Sequence, residues 1–309
     1  MNSVNFSPKL LHPKLWPSWL AMGLWWLMVQ ACPFRLQLLI GAQLGNLLYR
    51  RNIGRVRVAR RNLELCFPDS SASEREELLR KILQSTCIGI FESGAAWFWH
   101  RARLRRKFTV EGIEHIEAAR QNGKGVLFMG IHFTAIEIGA ACVNQEFAIN
   151  GFYRPHTNAV YEFVQAYGRI RHNPLSKVIP NNDVRAIVKS LRSGEIVNYA
   201  PDQDYGRDRS VFAPFFHVNA ATVKAPAHLA KAGRAEIIPW VTTRNKDGHY
   251  VIRIYPPLTS RLSEDDHENA VVINRFIEER VRENPEQYLW VHRRFKTRPL
   301  ESDPSLYKQ

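Results

Sequence analysis

Between Trp16 and Phe34 the chain reads WPSWLAMGLWWLMVQACPF, 19 residues without a charge. As one helix this run would extend about 28 Å, close to the roughly 30 Å of a bilayer's hydrocarbon core. A second apolar stretch, LQLLIGAQLGNLLY, follows Arg35 and ends at Arg50 and Arg51. Pro17, Gln30 and Pro33 interrupt the pattern, and its length and tryptophan content do not suit a cleaved signal peptide. It predicts a membrane anchor, spanning or lying in the interface, or else a buried core helix. Trp16, Trp19, Trp25 and Trp26 suit a headgroup belt, because indole joins an apolar body to a polar N–H. Arg50, Arg51, Arg55, Arg57, Arg60 and Arg61 follow with no acid before Glu64, which places the body of an anchored protein on the cytoplasmic side.

Further along, Ser73 and Glu76 have capping-box spacing and predict a helix over residues 73–100. The cluster Arg101, Arg103, Arg105, Arg106 and Lys107 is either a solvated face or a headgroup contact. From there apolar runs alternate with helix-period segments. Strands are predicted at Gly125–Phe133, Phe147–Tyr153, Ile196–Ala200, Ala235–Thr242 and Tyr250–Tyr255. Helices are predicted at Glu114–Gly123, Ala135–Val143, Val160–Ile170, Val184–Arg192, Thr222–Ala232 and Val271–Glu283. Alternation of this kind predicts an α/β fold, a central mixed sheet flanked by helices, behind an N-terminal membrane-anchoring helix. The expected division is an anchor over residues 1–50, one catalytic domain over 51–300 and a tail over 301–309.

Composition narrows the partners. The 309 residues carry a formal charge of +14, with 45% hydrophobic residues, which excludes wholesale disorder and favours anions: nucleic acid, an anionic membrane, phosphorylated lipid or an acidic carrier. Cys32, Cys66, Cys87 and Cys142 form no CxxC pair, so neither a disulfide scaffold nor a zinc ribbon is indicated and a reducing compartment fits.

Four segments could carry chemistry. In His132-Phe-Thr-Ala-Ile-Glu137 a histidine closes a predicted strand and a carboxylate follows inside the next helix. Five residues of continuous helix turn by about 500°, so the two would diverge. At a strand-to-helix junction the ring can turn back, letting Glu137 hold one nitrogen and leaving the other as a general base. Arg154 in YRPHTN and Arg169 in GRIR offer planar forks for phosphate or carboxylate. Asp202 and Asp204 in YAPDQDYG follow a strand and could orient a sugar hydroxyl, bind a metal or make a plain turn. In QYLWVHRRFKTRP basic and aromatic residues interleave, as for stacking on bases, clamping a phosphorylated glycolipid or forming a basic tail. There is no GxSxG, Walker A, GxGxxG or HExxH motif, so serine-hydrolase, P-loop and zincin chemistries drop out.

In order, the HPxxWPxW opening from His12 to Trp19, NLELCFP from Asn62 to Pro68, HFTAIE, YRPHTN, GRIR, YAPDQDYG and QYLWVHRRFKTRP resemble the late acyltransferases of lipid A biosynthesis. The likeness covers roughly residues 12–299 and is strongest to the lauroyl-transferring branch. It implies transfer of a fatty acyl chain from acyl carrier protein to a 3-hydroxyacyl group of a phosphorylated, Kdo-bearing glycolipid at the cytoplasmic face of the inner membrane. By that resemblance His132 is the general base, Glu137 its orienting carboxylate, Arg169 part of the acyl-transfer centre, and Asp202 or Asp204 an acidic block used with the acceptor. Glutamate replaces the more widespread aspartate of H-x4-D. The reaction so implied calls for no cofactor, metal or nucleic acid. A metal-dependent glycosyltransferase built on Asp202 and Asp204 is one competing reading. A nucleic-acid-binding protein is another, and it leaves the tryptophan-rich segment unexplained.

Overall fold

In the computed structural model, which describes residues 4–307, Pro33 cuts the amino-terminal apolar run in two. Proline fixes its own φ and biases the residue before it away from helix. Helix α1 (Trp16–Ala31) therefore ends at an extended Cys32, and α2 (Phe34–Arg51) starts directly after the proline. At 1.5 Å per residue α1 reaches only about 24 Å. No helix among the described residues is long and apolar enough to cross a membrane, so the spanning form of the expected anchor has no support.

Both helices lie instead on α4 (Ala72–Phe98), reached through α3 (Gly54–Cys66). The approach is close. A Cβ on Gly45 would fall 2.4 Å from the Gln84 backbone. Ser71 accepts from the Glu74 N–H at 3.2 Å and donates its own N–H to the Glu74 carboxylate at 2.7 Å. The capping box of α4 is therefore this pair rather than Ser73 and Glu76. The tryptophans divide as well: Trp16 and Trp26 are exposed, whereas Trp19 packs on Phe6 and Phe163, and Trp25 on Trp97 and Phe98. Leu20, Leu24, Leu27 and Met28 of α1, with Leu36, Leu39, Leu44 and Leu47 of α2, remain exposed.

After α5 (Arg101–Arg105) come β1 (Phe108–Glu111), α6 (Ile113–Gln121), β2 (Gly125–Gly130), α7 (Ile136–Val143), β3 (Ile149–Tyr153) and α8 (Ala159–Ile170). They are followed by β4 (Val178–Pro180), α9 (Val184–Arg192), β5 (Ile196–Tyr199), β6 (Ser210–Phe215) and β7 (Val218–Val223). The chain closes with α10 (Ala225–Gly233), β8 (Ala235–Arg244), β9 (Tyr250–Ile254) and α11 (Asp266–Glu283). The main sheet has the order β1-β9-β8-β2-β5-β3-β4. Its pairings are parallel except β8 with β9, so the expected mixed sheet flanked by helices is present.

Alternate residues of the central strands feed two cores. Leu127, Met129, Val197 and Ile237 enter one, and Val126, Phe128, Ile196 and Ile238 the other, which is why these strands read as unbroken apolar runs. One predicted helix fails at its start: Thr222 and Val223 belong to the β6–β7 hairpin. That hairpin turns at Phe216 with φ 52°, a position where glycine or asparagine would ordinarily announce the turn.

Candidate active site

Strand pairing dictates where the chemistry sits. Met129 of β2 lies opposite Tyr199 of β5 in a parallel pair. His132 and Asp202, each three residues further on, therefore leave the sheet at the same level, at the carboxyl edge where α/β sheets bind ligands. Asp202 holds the histidine at two points. Its Oδ1 accepts from the ring Nδ1 at 2.6 Å and its Oδ2 from the backbone N–H at 3.0 Å. With Nδ1–H so committed, Nε2 is left with its lone pair and has no protein partner among the described residues. Burial alone would push the imidazole pKa down, but the charge and hydrogen bond of Asp202 outweigh it, and the net is above the ordinary value. For Asp202, which is 2% exposed, burial raises the pKa and His132 more than reverses this, holding the carboxyl below its usual range.

Glu137 does not brace the ring, a correction to the expected geometry. The turn from Phe133 into α7 carries its side chain toward α8, in keeping with the divergence of five helical residues. There Glu137 accepts from Arg169 Nε at 3.1 and 3.2 Å, from Arg169 Nη2, and from Trp97 Nε1 at 2.9 Å. The carboxylate sits in the first turn of α7 and the guanidinium in the last turn of α8, so each charge occupies the helix end that favours it. Burial would raise the Glu137 pKa, yet Arg169 and Trp97 bring it below its ordinary value. Gly168 makes room for this corner, since a Cβ there would lie 2.6 Å from Trp97.

His132, Glu137, Arg154 and Arg169 line a cavity of about 840 Å³, together with Arg209, Lys224 and His228. A second cavity of about 530 Å³ meets it at His132, Ile136 and Glu137. Arg154, just past β3, is exposed. Neither Asp202 nor Asp204 lines the larger cavity. Asp202 is turned to the histidine. Asp204 is spent on Gly206 N–H at 3.0 Å, Thr297 N–H at 2.7 Å and the Thr297 hydroxyl at 2.8 Å. No group of three or more His, Cys, Asp or Glu side chains suited to a metal occurs among the described residues.

The carboxy-terminal basic-aromatic segment is a strap rather than a tail. Thr134 N–H donates to Gln287 O at 2.8 Å and Leu289 N–H to His132 O at 2.9 Å. Tyr288, Trp290, Arg294 and Phe295 are buried. Asn62 of α3 donates to Trp290 O at 2.7 Å and His292 O at 2.8 Å, and accepts from the Tyr307 hydroxyl at 2.6 Å. Thr134 is also held by Ser85 at 3.0 Å, itself bonded to Arg244, the partner of the buried Glu92. Trp97 and Arg244 were not foreseen as parts of the site, and the segment from Gln287 to Pro299, singled out for ligand contact, serves with Asn62 as a buried strap. The one available signal was the density of aromatics from Tyr288 to Phe295, too many for a solvated tail.

The sequence matches the family model of bacterial lipid A biosynthesis acyltransferases over residues 3–297. It is 40% identical over 308 residues to a lipid A biosynthesis lauroyltransferase of Escherichia coli K12, covering 99% of each chain. It is 39% identical to that organism's lipid A biosynthesis palmitoleoyltransferase, covering 98% of each. With the same organism's myristoyltransferase it shares 29% identity over 97% of this chain and 93% of the relative. The match runs through every element that builds the histidine site, and the chain belongs to the bacterial lipid A biosynthesis acyltransferases.

Proposed function

We propose that the protein moves a fatty acyl chain, lauroyl, from acyl carrier protein to a 3-hydroxyacyl group of a phosphorylated, Kdo-bearing lipid A precursor. The observation that carries this reading is an imidazole held at Nδ1 by Asp202, on a residue that lines both cavities where they meet. A secondary hydroxyl is a poor nucleophile until a base takes its proton. His132 Nε2 takes it, and the oxygen attacks the thioester carbonyl. The resulting oxyanion is stabilised by Arg169, whose guanidinium lines the cavity. Collapse breaks the C–S bond, and the departing sulfur receives the proton from the imidazolium. The new bond is an ester and no covalent acyl-enzyme forms. Glu137 keeps Arg169 in place, so the dyad expected of His132 and Glu137 becomes two coupled pairs. Arg154, Arg209, Lys224 and His228 suit the donor's phosphate arm and its acidic carrier. Asp204 contributes by fixing the loop that carries Asp202. Neither metal nor cofactor has a part in these steps.

The test is incubation of the protein with a panel of acyl carrier protein thioesters and the Kdo-bearing precursor, read by mass spectrometry. One added lauroyl group is the expected product, and a precursor left unmodified by every thioester overturns the proposal. The acid limb of kcat/KM should lie above the ordinary imidazole pKa, because the base works only when neutral. Asp202→Asn should move that limb to lower pH, since burial and Arg169 then outweigh the smaller opposing effect of Glu137, and should cut the rate about 100-fold. A limb unmoved by the substitution would remove Asp202 from the ring.

We place the protein on the cytoplasmic face of the inner membrane as a monotopic enzyme. The exposed leucines of α1 and α2, with Arg35, Arg50, Arg51 and Arg55 nearby in the chain, form the lipid-facing part. Residues 1–50 are then the docking unit on a catalytic body of residues 51–300, with 301–309 as its tail. Full-length protein should cosediment with anionic vesicles, and Leu24→Asp with Leu27→Asp should release it.

A further inference from the structure

We propose that the apolar groove of about 530 Å³ between α1 and α4 seats the hydrocarbon tail of the acceptor's 3-hydroxyacyl chain, leaving the other cavity to the donor. The inference rests on the acyl-transfer reading and divides the site between the two substrates that reading requires.

Three observations carry it. The groove is lined mainly by apolar and small side chains, among them Met22, Trp25, Gly89, Ile90 and Leu289, with His132, Glu137 and the phenol Tyr161 as its ionisable groups. The cations Arg154, Arg169, Arg209 and Lys224 line only the larger cavity. A phosphate-bearing donor arm is thus drawn to one side of His132 and a bare hydrocarbon to the other.

The groove is also continuous with the exposed face of α1. Successive helical residues are 100° apart, so Ala21 and Trp25, which line the groove, adjoin the exposed stripe of Leu20, Leu24, Leu27 and Met28. A chain leaving a lipid surface beneath α1 would stay on apolar side chains as far as the ring. A 3-hydroxyl near the head of that chain would then reach Nε2, with the tail behind it. A donor carried by a soluble protein has no need of a path that opens toward lipid.

The test uses the full-length enzyme in mixed micelles with Ile90→Trp and Ser93→Trp, which fill the groove at positions that are half-exposed or partly exposed. Acceptor KM should rise about tenfold, the rise should shrink for an acceptor with a shortened hydroxyacyl chain, and the donor chain-length profile should stay as in the wild type. A shifted donor profile, or an unchanged acceptor KM, overturns the assignment. A second measurement needs no turnover: an acceptor analogue with a diazirine at the end of its hydroxyacyl chain is photolysed on the wild-type protein. Label on peptides from residues 16–31 and 72–98 supports the groove, and label confined to residues 149–187 overturns it. Correct labelling by a protein that transfers no acyl group would overturn the acyl-transfer reading and leave the groove standing.

Discussion

Replacing His132 with alanine should lower acyl transfer by about 10²–10⁴-fold, the range that a positioned general base contributes. On the proposed mechanism the loss falls on kcat, because the ring would act as base only in the transition state. The fold should survive. Asp202 loses the ring but keeps the backbone N–H of residue 132 at 3.0 Å, so the penalty is about 1–3 kcal/mol for one buried partner removed. Thermal unfolding and near-UV circular dichroism would establish that the variant is folded. Near wild-type turnover by that folded variant would end the assignment of His132 as the base.

Glu137→Ala should damage both activity and stability, for a reason other than a lost brace on the histidine. The carboxylate is the counter-ion of Arg169 and the acceptor for Trp97 Nε1. Removing it strands a guanidinium whose side chain is 24% exposed. Breaking a buried pair from one side costs about 3–5 kcal/mol, and the partial exposure here brings the expected figure to about 3 kcal/mol. Transfer should fall at least 100-fold as Arg169 leaves the position from which it meets the oxyanion. A double-mutant cycle separates the two effects. Glu137→Gln combined with Arg169→Met should recover most of the stability and none of the activity. A melting temperature unchanged in Glu137→Ala would show that the pair contributes little. Activity restored in the double variant would show that Arg169 has no part in the chemistry.

The bracing part that spacing assigned to Glu137 falls to Asp202, and Glu137 pairs with Arg169 instead. A motif reading looks along the chain, and five residues after His132 it meets Glu137. Asp202 lies far away in sequence and comes to the ring only because β2 and β5 pair in parallel with Met129 opposite Tyr199. Similarly, the interleaved arginines and aromatics of residues 287–298 have the composition of a surface that grips a polyanion. Burial of Trp290, Arg294 and Phe295 makes them the clamp that sets the height of His132 instead. Asn62 belongs to the same clamp, and its motif gives no hint of that role, since its three partners are backbone carbonyls and a hydroxyl more than 200 residues on.

Sequence alone determined the alternation of strands and helices, the charge-free amino-terminal run and the family, and marked His132 as a candidate, because periodicity, charge-free runs and ordered motifs are local properties of a chain. The tertiary structure decided which acid holds the ring, which acid neutralises Arg169, and that the apolar run breaks at Pro33 into two helices lying on α4. Register between strands and packing between helices set those outcomes, and both depend on contacts between segments that spacing along the chain does not relate.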